Sequence, residues 1–296
     1  MEHKDQKARG FFCTLVGAVS WGFSGTCSQY LFMNYDLDSG WLAVVRMLIS
    51  GLLMSLYMGM RQRKAAGEIL RQPSDRVKLL GFSLAGLMLC QYSYLMAIHY
   101  TNAGTATVLQ YVGPVFVMGY ACIRGLRLPK KTEAAAIVLA VAGTFLLATH
   151  GNIHTMVLSE EGLFWGMVAA VALFFYTVIP RGLIQRFGSI VVTGYGMLIG
   201  GIVLFFSLRI WRVEVFLDTR GIFAVAVVVI VGTLMSFTLY LQGVSDIGPV
   251  KASMLASIEP VAAALFSALW LGTEFSAMDI LGFLCILTTV FLLAKK

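Results

Sequence analysis

Charge is what this sequence has least of. Only 12% of its 296 residues are charged, and 58% are hydrophobic. Soluble domains carry about 25% charged residues, so an ordinary water-soluble fold is excluded. The apolar residues form long continuous runs rather than alternating segments of about 10 residues, which argues against a transmembrane β-barrel. A helix needs about 20 apolar residues to span a bilayer, and several runs reach that length. The class is an all-α polytopic membrane protein, with the lipid bilayer as its main solvent.

Other absences narrow the function. No two cysteines stand in CxxC spacing: Cys13, Cys27, Cys90, Cys122 and Cys285 fall singly within or at the ends of apolar runs. They read as small apolar residues rather than metal or redox ligands. There is no HExxH, no P-loop and no GxGxxG after a strand, so no metal and no cofactor is expected. The net charge of +7 does not point to nucleic acid, because the basic residues sit in short loops between runs, where membrane orientation accounts for them. The N-terminal "MEHKDQKARGFFCTLVGAVSW" mimics a signal peptide, but its apolar run continues to about Met33. That is too long for a signal h-region and reads as an uncleaved first span.

Ten spans are expected, at 10–33, 40–60, 77–99, 103–123, 133–149, 161–180, 190–208, 221–243, 249–270 and 277–294. An even number puts both termini on one side. With that side cytoplasmic, 17 of the 22 Lys and Arg fall inside. Only Arg209, Arg212 and Arg220 fall outside, and Arg46 and Lys251 lie within spans. The asymmetry is a strong positive-inside signal and places the chain in the cell membrane with both termini cytoplasmic. Lys251, two residues past Pro249, is expected to snorkel to the inner surface.

The two halves resemble each other at nearly fixed offsets. "VVRMLISG" (44–51) matches "GYGMLIGG" (194–201) at an offset of 150, and "LQYVGPVFV" (109–117) matches "LASIEPVAA" (255–263) at 146. At 146, Gly86 meets Gly232, Tyr94 meets Tyr240, Ala106 meets Ala252 and Pro114 meets Pro260, while Gly10 meets Gly162 at 152. Several identities at one offset indicate an internal duplication. Each half has five spans, and an odd number makes the second half enter from the opposite side. The expected domains are a tail at 1–9, a first repeat at 10–149, an extracytoplasmic linker at 150–160 and an inverted repeat at 161–294. Inverted repeats are typical of secondary transporters, with the solute site near the midplane at the repeat interface.

The stretches "AVSWGFS", "VVRMLISG", "VLQYVGPV", "MLASIEPVAAALFSALWLGTEFS" and "DILGFLCILTTVFLLA" resemble EamA-type members of the drug/metabolite transporter superfamily, over about residues 10–294. The resemblance implies a central cavity formed mainly by helices 1, 3, 4, 6, 8 and 9, with helices 5 and 10 peripheral. It implies export of amino acids, other small metabolites or drugs, and it marks Trp21 as a cavity-lining residue. One departure is visible. The family often has an acid after helix 4, as Glu274 follows helix 9; here that region reads "GLRLPK", and no acidic role is expected there.

Ionisable residues inside a membrane are expensive and usually face a cavity or a partner. Glu259 is the eleventh residue of the ninth span, about 15 Å deep in a core of about 30 Å. It either pairs with Arg46, near the outer end of the second span, or faces the cavity to bind a cationic group or carry a proton. Residues 252, 256 and 259 share one helical face. They are Ala, Ala and Glu, and their repeat equivalents 106, 110 and 113 are Ala, Gln and Gly. Small faces with one polar group each, Gln110 and Glu259, suit a cavity wall. Tyr94 and Tyr240 occupy equivalent places, with Gln91 one turn from the first and Phe237 one turn from the second. Pro114 and Pro260 are expected to loosen the midpoints of their helices, since proline has no N–H. Gly196 and Gly200 form a GxxxG packing motif.

The function expected is a secondary transporter of a small-molecule substrate, working by alternating access, with protons as a candidate coupling ion. Two alternatives stay open. One is an uncoupled facilitator. The other is an intramembrane enzyme, suggested by "GFSG" at 22–25, in which Ser24 would need a histidine such as His99 at the same depth.

Overall fold

The computed structural model describes residues 2–152, 156–247, 252 and 255–294 of the chain. The described residues form helices and turns with no strand. Among the described residues ten apolar helices follow in order: α1 (Gln6–Tyr35), α2 (Ser39–Arg61), α3 (Pro73–Tyr100), α4 (Ala103–Arg124), α5 (Lys131–Thr149), α6 (Glu160–Val178), α7 (Ser189–Ser207), α8 (Thr219–Val244), α9 (Glu259–Leu271) and α10 (Ala277–Leu292). The first eight are long and apolar enough to cross a bilayer, and the last two are shorter. His154, Pro249 and Lys251 lie outside the described residues. So does much of the first half of the expected ninth span.

Several helices start on a side chain that accepts from an orphan N–H. Asp38 accepts from Trp41 N at 2.7 Å before α2, Asn102 from Thr105 N at 2.8 Å before α4, and Ser159 from Gly162 N at 3.0 Å before α6. Asp218 does the same for Gly221 N at 2.8 Å before α8.

The duplication is visible in the packing. A Cβ on Gly51 would lie 2.7 Å from the backbone nitrogen of Leu198, and one on Gly201 would lie 2.9 Å from Leu48 Cδ2. The two contacts are exchanged by the offset of 150, which relates Gly51 to Gly201 and Leu48 to Leu198. As α2 advances from 48 to 51, its partner on α7 runs back from 201 to 198, so the two helices cross antiparallel. Helices α5 and α10 also pair antiparallel, Gly143 and Gly282 each facing the other's backbone. The remaining pairs are exchanged between repeats: α1 packs on α8 and α6 on α3, α1 on α9 and α6 on α4. The architecture is two five-helix repeats, inverted relative to each other.

Two irregularities recur at the same place in each repeat. Helix α3 widens to a π turn at Phe82–Met88, and α8 does so at Ile230–Met235. Helix α4 is interrupted by a turn at 111–112 and restarts at Gly113, and a turn at 257–258 precedes the start of α9 at Glu259. Pro114 and Pro260 occupy the second position of the restarted helices. That is where a missing N–H is harmless to the new helix while it ends the old one.

Candidate functional site

The matched breaks in α4 and α9 set up the centre of the molecule. Glu259 is the first residue of α9, where the positive end of the helix dipole favours a carboxylate. The face read across residues 252, 256 and 259 as one helix is therefore interrupted, and so is the face across 106, 110 and 113. The physical reason is the proline in each, which breaks the helical phase after Gln110 in the first repeat and before Glu259 in the second.

Glu259 makes no ion pair among the described residues, so the expected alternative of a pair with Arg46 is not formed. Its Oε2 accepts instead from the Tyr111 hydroxyl of α4 at 3.1 Å, and the same hydroxyl lies 2.9 Å from the carbonyl oxygen of Ala256. Helix α1 closes the other flank. A Cβ on Gly22 would lie 2.8 Å from the Glu259 carbonyl oxygen and 2.8 Å from Ala263 N, so only glycine lets α1 approach α9 this closely.

Arg46 is buried on α2. Its Nε donates to Thr233 Oγ1 at 2.8 Å and its Nη2 to Gly232 O at 3.2 Å, both in the π turn of α8. No carboxylate lies within salt-bridge distance of it among the described residues.

The other expected site residues fall into two groups. Tyr94, buried on α3, bonds Thr107 Oγ1 at 2.8 Å. Thr107 gives its own proton to Ala103 O at 2.6 Å, so Tyr94 is the donor of that pair. Gln110 donates to Cys90 Sγ at 3.2 Å, and Gln91 is buried on α3 one turn from Tyr94. These residues tie α3 to α4. Trp21 on α1 stacks edge-on against Phe237 and tilted against Tyr240, each at 5.2 Å between ring centres. They tie α1 to α8. Tyr111 of the first repeat bonds Glu259 of the second directly, so the two breaks meet at this one acid.

The sequence reading missed Tyr111, although it stands beside Gln110 in the repeated stretch. A helical wheel drawn through the break points it away from the shared face. It also missed Gln29. The Gln29 Oε1 accepts from Ala103 N and from Ser267 Oγ, both at 2.9 Å, and its Nε2 donates to Thr273 Oγ1 at 3.0 Å. A polar residue near the outer end of the first span was the available signal.

The segment "GLRLPK" itself carries no acid, but it is bound to one at the start of α5. Glu133, just past "GLRLPK", is buried and takes two bonds from Arg127, at 2.7 and 2.9 Å, and one from Lys130 N at 2.8 Å. Arg127 is the partner that makes a buried acid tolerable there.

Two acids outside the spans join helix ends. Asp246, past the end of α8, takes bonds from Arg9 Nε and Nη2, both at 2.9 Å, and from Gln242 at 3.0 Å. The Arg9 bond holds its carboxyl well below the usual carboxylate range. At the opposite end Asp218 is lowered by the Tyr35 hydroxyl and by Gly221 N.

The serine-protease arrangement is not assembled among the described residues. Ser24 is 1% exposed and its Oγ has no hydrogen-bond partner among the described residues. His99 packs its ring on Phe32 and Tyr100, and His150 bonds Asp279 at 3.0 Å. Ser24 instead fills the notch at Gly232, where a Cβ would fall 1.9 Å from its Oγ. Its repeat counterpart is Tyr176 on α6, whose backbone lies against Gly86.

Comparison with known proteins agrees with this architecture. The sequence model of the EamA-like transporter family matches twice, at residues 8–149 and 160–295. An uncharacterised inner membrane transporter of Salmonella typhimurium, YicL, is 36% identical over 286 residues, covering 97% of this chain and 95% of that protein. An uncharacterised Bacillus subtilis transporter, YcbK, is 21% identical over 94% of this chain and 90% of its own length. A solved structure with 16% identity superposes with a TM-score of 0.62, covering 98% of this chain and 96% of that chain, which shows a shared fold. With both repeats matched and a relative of this similarity along nearly its whole length, the chain belongs to the EamA-like transporter family, as a multi-pass membrane transporter.

Proposed function

We propose that the protein is a secondary transporter that exports small metabolites, amino acids or related compounds, by alternating access of the two repeats around Glu259. The observation that carries this reading is the setting of that acid. It lacks a cationic partner among the described residues, sits at the first turn of a restarted helix, and faces the matching break of the other repeat. Half-helix ends meeting at a repeat interface are where transporters of inverted-repeat design hold their solutes and coupling ions. Glu259 takes the ammonium of the solute or a coupling proton, and Tyr94, Tyr240, Gln91, Gln110 and Trp21 form the surrounding wall. Pro114 and Pro260 are the points of bending. Both termini are cytoplasmic by the distribution of Lys and Arg. Residues 10–149 and 161–294 are the two moving halves, joined by an extracytoplasmic linker at 150–160.

The test is flux in liposomes holding the purified protein, using labelled amino acids with and without a proton gradient. Saturable flux that responds to the gradient and loses that response in Glu259→Gln supports the proposal. Flux indifferent to the gradient favours a facilitator. No flux for any amino acid, together with a hydrolytic activity abolished in Ser24→Ala, overturns the proposal in favour of an intramembrane enzyme.

A further inference from the structure

We infer that Tyr111 is the residue through which the charge on Glu259 reaches the break before α9. This rests on the reading above, that Glu259 takes up a proton or a cation, and adds how that event is passed on.

A tyrosine hydroxyl has one proton to give. Here two acceptors compete for it, the Ala256 carbonyl at 2.9 Å and Glu259 Oε2 at 3.1 Å. The two stand on opposite sides of the turn at 257–258. Ala256 is four residues before Pro260, the position whose carbonyl would bond the N–H of residue 260 in a continuous helix. Proline has no N–H, so this carbonyl lacks its ordinary donor, and a buried carbonyl needs one. Tyr111, which comes from the other repeat, supplies it.

The competition depends on the state of Glu259. As a carboxylate it is the stronger acceptor, since bonds to charged groups are the strong ones, and it draws the Tyr111 proton from Ala256. Once Glu259 has taken a proton from a hydronium ion, leaving water, its own O–H donates to the Tyr111 oxygen, and the Tyr111 proton turns wholly to Ala256. No other bond is made or broken. A solute ammonium on the carboxylate acts in the same sense by replacing Tyr111 as its partner. Neutral Glu259 therefore caps the broken end of the helix, and charged Glu259 uncaps it.

The other groups that face Glu259 are accounted for. They are Tyr94 and Cys90 on α3, Arg46 on α2 and Tyr240 on α8. Tyr94 is held by Thr107, Cys90 by Gln110 and Arg46 by Thr233 and Gly232. Tyr240 lies against Trp21. Helix α1 presents Gly22 to the Glu259 carbonyl oxygen and packs Trp21 on Tyr240, and neither titrates, while Tyr176 of α6 packs its ring on Phe82. Tyr111 is the group in direct hydrogen bond with the acid.

The experiment uses the full chain in lipid nanodiscs, with its cysteines replaced and spin labels at the exposed positions Leu269 and Phe216. The distance between them reports on α9 relative to the start of α8, and is measured from pH 5 to pH 9. Infrared titration follows the Glu259 carboxyl, its band assigned by its loss in Glu259→Gln. The expected result is a carboxyl titration accompanied by a distance shift of the same midpoint. Tyr111→Phe keeps the titration and loses the shift. Pro260→Ala, which returns an N–H to Ala256, also keeps the titration and loses the shift with Tyr111 intact. A shift of full size in Tyr111→Phe overturns the inference, and so does a full shift in Pro260→Ala. A shift that survives Glu259→Gln overturns the reading of Glu259 itself, and is told apart because the acid is then absent.

Discussion

Arg46 Nε donates to Thr233 Oγ1 at 2.8 Å, so a buried guanidinium is held by a hydroxyl of the opposite repeat and, among the described residues, not by an acid. Thr233→Val keeps the shape of the side chain and removes this acceptor. A bond to a charged group contributes about 1.5–3 kcal/mol, and the variant is expected to lose about that much stability. Thr233→Ser retains the oxygen and should stay close to the parent protein. Thermal unfolding in detergent measures both. A Thr233→Val protein as stable as the parent shows that the hydroxyl does not carry Arg46.

Much of this arrangement was legible in the sequence, and the reasons are local. Gly51 and Gly201 match at the offset of 150 because each must lie against the other repeat's helix, so the duplication left its mark in residues that packing constrains. Pro114 and Pro260 announced the breaks because proline acts through its own backbone. Tyr111 was not legible, since its place depends on the phase change that the break introduces. The bonding of Arg46 was equally hidden. A charge in a span asks for a partner, but the π turn at Ile230–Met235 that brings Thr233 and Gly232 to it has no sequence signature. Glu133 was overlooked because its role rests on Arg127, a residue of the loop before its helix.

Glu259→Gln tests the absence of an ion pair. Removing one partner of a buried pair costs about 3–5 kcal/mol, because a charge is left behind uncompensated. Glu259 leaves none behind, and the amide oxygen of glutamine can still accept from Tyr111. The variant is expected to unfold within about 1 kcal/mol of the parent, on the scale of one ordinary hydrogen bond. Its proton-linked behaviour is expected to be lost. Denaturant or thermal melts give the first quantity and gradient-driven flux the second. A loss of stability of buried-pair size would mean that Glu259 has a cationic partner after all.

Gly232→Ala tests the close approach of α1 to α8. The added Cβ would fall 1.9 Å from Ser24 Oγ and 2.2 Å from Ser24 Cβ. Overpacking of this kind costs about 1–3 kcal/mol. Ser24→Ala should not relieve it, because the Ser24 Cβ remains. Ser24→Gly should, because the nearest atom left is the Ser24 Cα at 3.6 Å. The double variant Gly232→Ala with Ser24→Gly is therefore expected to recover stability that Gly232→Ala with Ser24→Ala does not. Recovery in both, or in neither, would place the strain elsewhere.

Asp246 tests how the ends of α1 and α8 are joined. Its side chain is 1% exposed and takes both bonds of the Arg9 fork. The Arg9 bond holds its folded pKa below the usual carboxylate range, while in the unfolded chain it returns to about 3.9. The contribution to stability is thus fully present above that value and is lost as pH falls through the folded one. Two consequences follow for melting temperature against pH. At neutral pH Asp246→Asn should melt lower than the parent protein. Below about pH 4, the unfolded carboxylate value, the parent should lose stability more steeply than Asp246→Asn, so that the two curves converge. Arg9→Gln should flatten the acid limb in the same way, since it removes the cause of the shift rather than the acid. Parallel acid limbs in all three proteins would show that the Arg9–Asp246 fork does not bind these helix ends in solution.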